Sequence, residues 1–295
     1  MRLTGHTDYA LRLLMYLGRQ QGRLVTVQEI AKAHGISEHH LRKVAHRLGQ
    51  AGPAAQEIAE IAAAVGRDVT LDLLAVAADL DTDGVVAAVD ELWRRRILRE
   101  HGDGGESYDF SHDLLRDAAY ALASPPRRWL LHRRLAQGLE LLHAGHLDDV
   151  ASQLADQYDR GGRTDRAVHY RARSAALAES VFANAEALRQ HQRILELIAT
   201  QPEGKDRDAK ELDALQAMVP SLTAVRGYSA PEVLEALERA AALAERLDRR
   251  PTLLAAYVGL NSVLYVRGQI ARAMDLVRNA GATNIGIVLE TVQVQ

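Results

Sequence analysis

The chain lacks cysteine entirely, holds few aromatic residues and contains no apolar run of the length that crosses a membrane. Without cysteine it cannot form disulfides, thiolate zinc sites or cysteine-ligated iron–sulfur clusters. Aromatic residues make up 4% of the chain, which disfavours a β-sandwich because strands are rich in β-branched and aromatic side chains. No signal peptide is recognised, so the expected location is cytoplasmic.

Alanine and leucine dominate what is present. The 295 residues include 49 alanines and 42 leucines, and both residue types favour helices. Apolar residues make up 47% of the chain, which is enough for a buried core, and the length indicates two or three domains. The composition therefore predicts a mainly α-helical protein with several domains.

Charge is distributed unevenly along the chain. Residues 1–52 hold eight Lys/Arg and three Asp/Glu, a net charge of +5, whereas the other 243 residues carry a net charge of −8. A small basic segment joined to a larger acidic body is typical of proteins in which one end meets nucleic acid. We call residues 1–52 the basic head.

The basic head is predicted to contain a helix-turn-helix. Thr26 and Glu29 form a capping box at the start of one helix, which stops at Gly35. Ser37 caps the next helix, which runs to Leu48. Two short helices joined by a tight glycine turn place the second helix in the major groove of DNA.

The second of these helices presents cations on its outward face. We expect Arg42 to contact guanine through two hydrogen bonds, and Lys43 and Arg47 to contact phosphates. The alternative for any single residue is a solvated helix surface. The histidines here have no cysteine or suitably spaced carboxylate beside them, so no metal site is predicted. The predicted DNA-binding residues are Thr26, Ser37, Glu38, His39, Arg42, Lys43, His46 and Arg47.

Three stretches of the basic head carry a family resemblance: Thr7–Leu17 (TDYALRLLMYL), Leu24–Ala31 (LVTVQEIA) and His46–Gly52 (HRLGQAG). They are similar to the nitrite-sensitive-repressor type of iron–sulfur winged-helix transcriptional regulators. The resemblance implies a dimeric repressor that binds double-stranded DNA through residues 26–48. The cluster cannot be carried over because the chain has no cysteine, so no cofactor is expected. The family's wing and dimerisation helix do not follow the basic head.

Residues 54–126 are predicted to form a winged-helix-like module with a short β-hairpin. Because the surroundings of the hairpin are acidic, we expect this module to contact protein rather than DNA, whose phosphates require cations. The predicted helices are Ala54–Val65, Thr70–Ala78, Asp81 to Arg96 and, capped by Ser111, His112–Ala123; the predicted strands are Ile97–Glu100 and Ser107–Phe110.

A second resemblance covers this module and the helices after it. Leu92–Arg99 (LWRRRILR) and Tyr108–Tyr120 (YDFSHDLLRDAAY) resemble the winged helix of large signal-transducing ATPases and bacterial transcriptional activators, in which a tetratricopeptide-like array follows. The nucleotide-binding domain of those proteins is missing. No Gly-x-x-x-x-Gly-Lys-Ser/Thr loop occurs in the chain, and we recognise no catalytic constellation, so the protein is not expected to be an enzyme.

Residues 127–278 are predicted to form a tetratricopeptide-like α-solenoid. Two similar units, Ala151 to Ala167 and Tyr257 to Ala273, lie 106 residues apart, which is near three repeat periods of about 34 residues. We expect a curved, mostly acidic surface that binds a protein partner or mediates self-association. Residues 279–295 alternate β-branched residues and are predicted to form a strand.

The sequence leaves two functions open. The first is a DNA-binding transcriptional regulator in which the basic head reads an operator and an acidic helical-repeat body binds a partner. The alternative is a protein-interaction scaffold, a mosaic or truncated signalling regulator, with a vestigial DNA-binding head. The expected partners are double-stranded DNA and protein, including a second copy of the chain in a homodimer, and no membrane.

Overall fold

A computed structural model describes residues 49–101 and 107–282 of the chain. These residues form twelve helices and one three-stranded sheet, so the prediction of a mainly α-helical fold is confirmed. The contacts divide the chain into two compact units, and the division falls after Gly145, except that residues 160–162 join the first unit. The domain boundaries expected near residues 52 and 126 stay predictions.

The elements are numbered in chain order. In the first unit they are α1 (Pro53–Val65), β1 (Val69–Thr70), α2 (Leu71–Ala77), α3 (Thr82–Arg94), β2 (Leu98–His101), β3 (Ser107–Phe110), α4 (Asp113–Leu122) and α5 (Pro125–Leu142). The later helices are α6 (Ala151–Arg160), α7 (Thr164–Ser180), α8 (Asn184–Ala199), α9 (Lys205–Arg226), α10 (Pro231–Arg246), α11 (Arg250–Val266) and α12 (Ile270–Ala282).

Local capping sets the helix bounds of the first unit. The Thr70 hydroxyl accepts a hydrogen bond from the Leu73 amide at the start of α2. The Asp81 carboxylate accepts one from the Gly84 amide at the start of α3. Gly66 ends α1 with a φ of 103°, a backbone conformation that residues other than glycine rarely adopt. The helix bounds that these caps set agree with the predicted bounds within two residues.

The sheet completes a winged helix. Its order is β1-β3-β2 with antiparallel pairing throughout. Val69 pairs with Tyr108, and Leu98 pairs with Phe110. The helices pack around one apolar core. The largest fully buried side chains of the module are Ile58, Ile61, Leu74, Leu92, Ile97, Leu98 and Leu115.

Two details of this module differ from the prediction. The strand β1 was not expected, because two residues are too short for an alternating pattern. The expected Ser111 cap is wrong, since the N-cap of α4 is His112, which makes no side-chain capping bond. The Ser111 amide instead donates to the Ile97 carbonyl, and its hydroxyl donates to the Arg96 carbonyl. Ser111 is thus held by the neighbouring strand. The other bounds agree within two residues.

The second unit is a succession of helices in which consecutive helices from α7 to α12 pack on one another. Short turns join them, so neighbouring helices run antiparallel. Leucine and alanine fill the core, as Leu212, Leu243 and Ala244 illustrate with no measurable exposure. Stacking of helices that bury their apolar stripes only against their neighbours is the organisation of a solenoid. The expected succession of helices over residues 127–278 is therefore confirmed.

The repeat phase inferred from the spacing is wrong. The first similar unit lies on α6 and α7, but the second lies on α11 and α12, five helices later. Three repeats of two helices each would separate the two units by six helices. The 106 residues span five helices, about 21 residues per helix rather than the 17 of half a 34-residue period. The helix α9 alone has 22 residues and continues past Pro220 without a break. Residues 279–282 are helical rather than extended, and the rest of the predicted strand lies outside the described residues.

Candidate functional site

The predicted DNA-binding residues lie outside the part of the chain that the structure describes. This holds for the whole predicted helix-turn-helix, residues 26–48. The residues concerned are Thr26, Ser37, Glu38, His39, Arg42, Lys43, His46 and Arg47. The described structure begins where the basic head joins the winged helix, and that junction is well defined. The Gly52 amide donates to the Glu91 carboxylate of α3 at 3.1 Å, and Ala51 is buried.

A groove lies between α3 and the strands β2 and β3. Its volume is about 240 Å³, and Val86, Trp93 and Tyr108 contribute its apolar wall. Asp90 of α3 and Glu100 of β2 add two carboxylates. The Trp93 side chain is 50% exposed, so a large aromatic surface faces solvent beside negative charge. We call this site the α3 groove.

The sequence interpretation missed the α3 groove, although α3 carries a signal for it. Val85, Val89 and Leu92 form the buried stripe at helical spacing. Val86 and Trp93 are apolar but fall off that stripe, seven residues apart on an exposed face. Apolar residues outside the buried stripe of an amphipathic helix mark a surface that can bind a partner.

The cations at the end of α3 are already paired. Arg94 contacts Asp90 at 2.5 Å, and Arg95 contacts Glu91 at 2.9 Å. Both pairs have the i, i+4 spacing that stabilises a helix. Arg94 is the one Lys or Arg within α3, the helix that enters the groove of DNA in a DNA-binding winged helix. The helix α3 therefore has no unpaired Lys or Arg to contact phosphates.

Negative charge is concentrated in the winged helix. Residues 53–122 hold six Lys/Arg and fifteen Asp/Glu, a net charge of −9. Residues 127–278 hold 22 Lys/Arg and 20 Asp/Glu, a net charge of +2. The expectation of an acidic helical-repeat body is therefore wrong, because the −8 counted over all residues after the basic head comes from the winged helix alone.

A buried polar network joins three helices of the second unit. Arg171 of α7, with a side chain only 9% exposed, donates to Asp156 and Asp159 of α6 at 2.8 and 3.1 Å. It also donates to Gln190 of α8 at 2.9 Å. Arg193 of α8 donates twice to Asp159, and these hydrogen bonds raise the pKa of the Arg193 guanidinium. The network fixes the relative positions of α6, α7 and α8.

Exposed apolar side chains gather at one end of the second unit. The turns after α7, α9 and α11 share this end because successive helices reverse direction. Contacts support the placement, since the Arg267 guanidinium donates to the Ser229 carbonyl at 2.6 Å across two of the turns. The three exposed aromatic residues there are Phe182, Tyr228 and Tyr265, and we call them the apolar edge. Phe182 is 86% exposed.

The residues present do not fit an iron–sulfur cluster. The chain has no cysteine, so no thiolate ligand exists. Among residues 49–101 and 107–282, no group of three or more His, Asp or Glu side chains could hold a metal ion. Within the same residues, no helix is both long and apolar enough to cross a membrane.

Comparison with known proteins identifies relatives of the basic head. Residues 3–55 match the family Rrf2, described as "Iron-dependent Transcriptional regulator". Over 53 residues the chain is 47% identical to the HTH-type transcriptional regulator NsrR of Bacillus subtilis and 49% identical to that of Shouchella clausii. The matched segment is 18% of this chain and 36% of each regulator. The resemblance stated for the basic head is confirmed.

Two further comparisons involve larger parts of the chain. The uncharacterized protein R02095 of Rhizobium meliloti is 31% identical over 204 residues, which are 68% of this chain and 20% of that protein. The chain therefore spans about a fifth of R02095. A solved structure, a signal transduction ATPase with numerous domains and a tetratricopeptide repeat sensor from Pyrococcus horikoshii, aligns with 99% of this chain and 61% of that one. The identity is 13% and the TM-score 0.29.

Proposed function

We propose that this protein is a transcriptional regulator whose basic head binds double-stranded DNA. The observation that carries the proposal is the match of residues 3–55 to a regulator family. The same residues carry the capping box and glycine turn of a helix-turn-helix, and their net charge of +5 attracts phosphates. Arg42 would read a guanine while Lys43 and Arg47 hold phosphates. Such a regulator works in the cytoplasm, and we assign it no reaction.

The salt dependence of DNA binding tests this function. Each phosphate contact contributes about −0.9 to the slope of log affinity against log salt concentration. With Lys43, Arg47 and further cations of the head engaged, we expect a slope of about −2 to −4 for the full chain on a mixed-sequence duplex. Fluorescence anisotropy of a labelled duplex measures it. A binding constant that does not change with salt, or no binding at low salt, would contradict the proposal.

We further propose that the second unit mediates self-association through the apolar edge. Large aromatic side chains at interfaces supply much of the binding energy, and Phe182, Tyr228 and Tyr265 expose theirs at the same end of the second unit. Phe182 also adopts a φ of 58°, which is unfavourable for a bulky residue. The alternative is a scaffold that binds other proteins through this edge and carries a vestigial DNA-binding head.

Sedimentation of the full chain distinguishes these possibilities. Replacing Phe182, Tyr228 and Tyr265 by serine is expected to raise the dimer dissociation constant at least about tenfold, because three aromatic contacts are lost. The matched control replaces Trp129 and Leu141, which are equally exposed apolar residues of α5 outside the edge, and should leave the dimer intact. A wild-type chain that stays monomeric at high concentration rules out self-association.

A further inference from the structure

The α3 groove has the chemistry that binds cationic side chains. Trp93 offers a half-exposed indole face, and tryptophan is the aromatic residue that cations prefer. Asp90 and Glu100 line the same groove, and Asp83 lies on the same exposed face of α3, seven residues before Asp90. Glu100 makes no ion pair with any residue that the structure describes. An arginine-rich helix face would satisfy both the indole and the carboxylates.

The sequence predicts such a face within the same chain, on the helix from Ser37 to Leu48. The basic head carries a net charge of +5, and the winged helix directly after it carries −9. Opposite charges on adjacent segments attract each other, and the attraction is stronger at low salt. The strongest run of cations in the head, Arg42, Lys43 and Arg47, is the set that is expected to contact DNA.

The chain connection holds the last residue of the head against α3. Gly52, the last residue of the head, is hydrogen-bonded to Glu91, which is adjacent to Asp90 in α3. The Gln56 side chain also holds the preceding Ala51 carbonyl at 2.9 Å. Arg47 lies five positions before Gly52, a span of at most about 18 Å when extended. A tether this short gives the head an effective concentration on the order of millimolar at α3.

We propose that the α3 groove binds the basic face of the chain's own head, through Arg42, Lys43 and Arg47, with a guanidinium on Trp93 and the carboxylates of Asp90 and Glu100 in place of phosphates. Where the head also binds DNA, as proposed above, the two ligands compete for the same cations. The winged helix then acts as an internal competitor that weakens non-specific DNA binding.

Quenching of Trp93 fluorescence tests the docking without DNA. The chain has two tryptophans, so Trp129→Phe leaves Trp93 as the reporter. In this background, Arg42→Ala/Lys43→Ala/Arg47→Ala is expected to raise the acrylamide quenching constant about twofold, because a stacked cation no longer covers the ring. The control Arg12→Ala/Arg19→Ala/Arg23→Ala removes the same charge elsewhere in the head and should leave quenching unchanged. Equal quenching in all three proteins would overturn the proposal.

Disulfide trapping tests the occupant. The chain has no cysteine, so Lys43→Cys/Glu100→Cys introduces one defined pair. We expect an intrachain disulfide to form at least about tenfold faster than in Lys43→Cys/Gln137→Cys, whose second position is an exposed site on α5. A non-reducing gel separates the products. A disulfide-linked dimer would show that the head binds a second copy, and an equal rate in both variants would show no docking; either result contradicts the proposal.

DNA affinity tests the competition. Trp93→Ala/Glu100→Gln removes groove contacts but keeps the Asp90–Arg94 pair, so it frees no cation on α3. If the head is docked about nine-tenths of the time, freeing it tightens binding to a mixed-sequence duplex about tenfold. The matched control Trp129→Ala/Glu235→Gln changes an exposed tryptophan and an exposed glutamate elsewhere and should leave affinity unchanged. Absence of DNA binding in every variant would refute the proposed function, while the quenching and disulfide results would still decide the docking.

Discussion

Replacing Arg42, Lys43 and Arg47 together by alanine is expected to lower the affinity for duplex DNA by roughly 100- to 1,000-fold. Loss of a bidentate arginine–guanine contact costs about 1–3 kcal/mol. Loss of two phosphate contacts flattens the slope of log affinity against log salt by about 2. Anisotropy titrations of the full chain at several salt concentrations measure both quantities on the same samples.

A charge-matched control separates a recognition helix from general attraction. Arg12→Ala/Arg19→Ala/Arg23→Ala also lowers the head from +5 to +2, but it touches none of the predicted contact residues. Its affinity is expected to fall less than about tenfold, through long-range attraction alone. If both triple variants lose affinity equally, residues 26–48 do not form the DNA-binding surface and only net charge matters.

Arg171→Ala is expected to destabilise the second unit by about 3 kcal/mol, because it breaks a buried ion pair and leaves Asp159 with Arg193 as its remaining guanidinium partner. The loss affects α6 and α8 together, since Arg171 bonds Asp159 on one side and Gln190 on the other. Asp156 is half-exposed, which places the effect at the lower end of the range for buried pairs. Urea unfolding followed by far-UV circular dichroism measures the change.

Arg173 provides a matched control on the same helix. It makes one ion pair, with Asp148 at 2.8 Å, and its side chain is about one-third exposed. Arg173→Ala should therefore cost less than about 1 kcal/mol. Tryptophan fluorescence gives a reference for the first unit in the same samples, because Trp93 and Trp129 both belong to it. Equal destabilisation by the two alanine variants would mean that the buried network contributes no more to the free energy of unfolding than the exposed ion pair of Arg173.

Elements with local signals could be predicted from the sequence, and elements that depend on distant partners could not. The start of α3 follows from the Asp81 cap, which acts within three residues. The strand β1 is formed by pairing with residues 39 positions later, and nothing within Val69–Thr70 indicates it. Ser111 has the chemistry of a cap, but a hydrogen bond to the distant Ile97 carbonyl holds it in the sheet.

The candidate sites likewise divide into features with local sequence signals and features that depend on distant partners. The sequence alone shows the local excess of positive charge in the basic head. It also shows the helical spacing of the cations. The α3 groove is assembled from α3, β2 and β3, and its residues become neighbours only in the folded module. Averaging charge over 243 residues also concealed that the acidic excess belongs to residues 53–122. Counting charges over each folded module would have located the acidic excess, but the bounds of the modules come from the structure.

The pairing of β1 with β3 affects the order in which the chain folds. Contacts between residues far apart in sequence form late because a long loop must close first. Val69 pairs with Tyr108 across such a loop. Tyr108 also lines the α3 groove. The groove is therefore complete only after β3 has been synthesised, so under the docking proposal a nascent chain would reach DNA before the groove restrains its head.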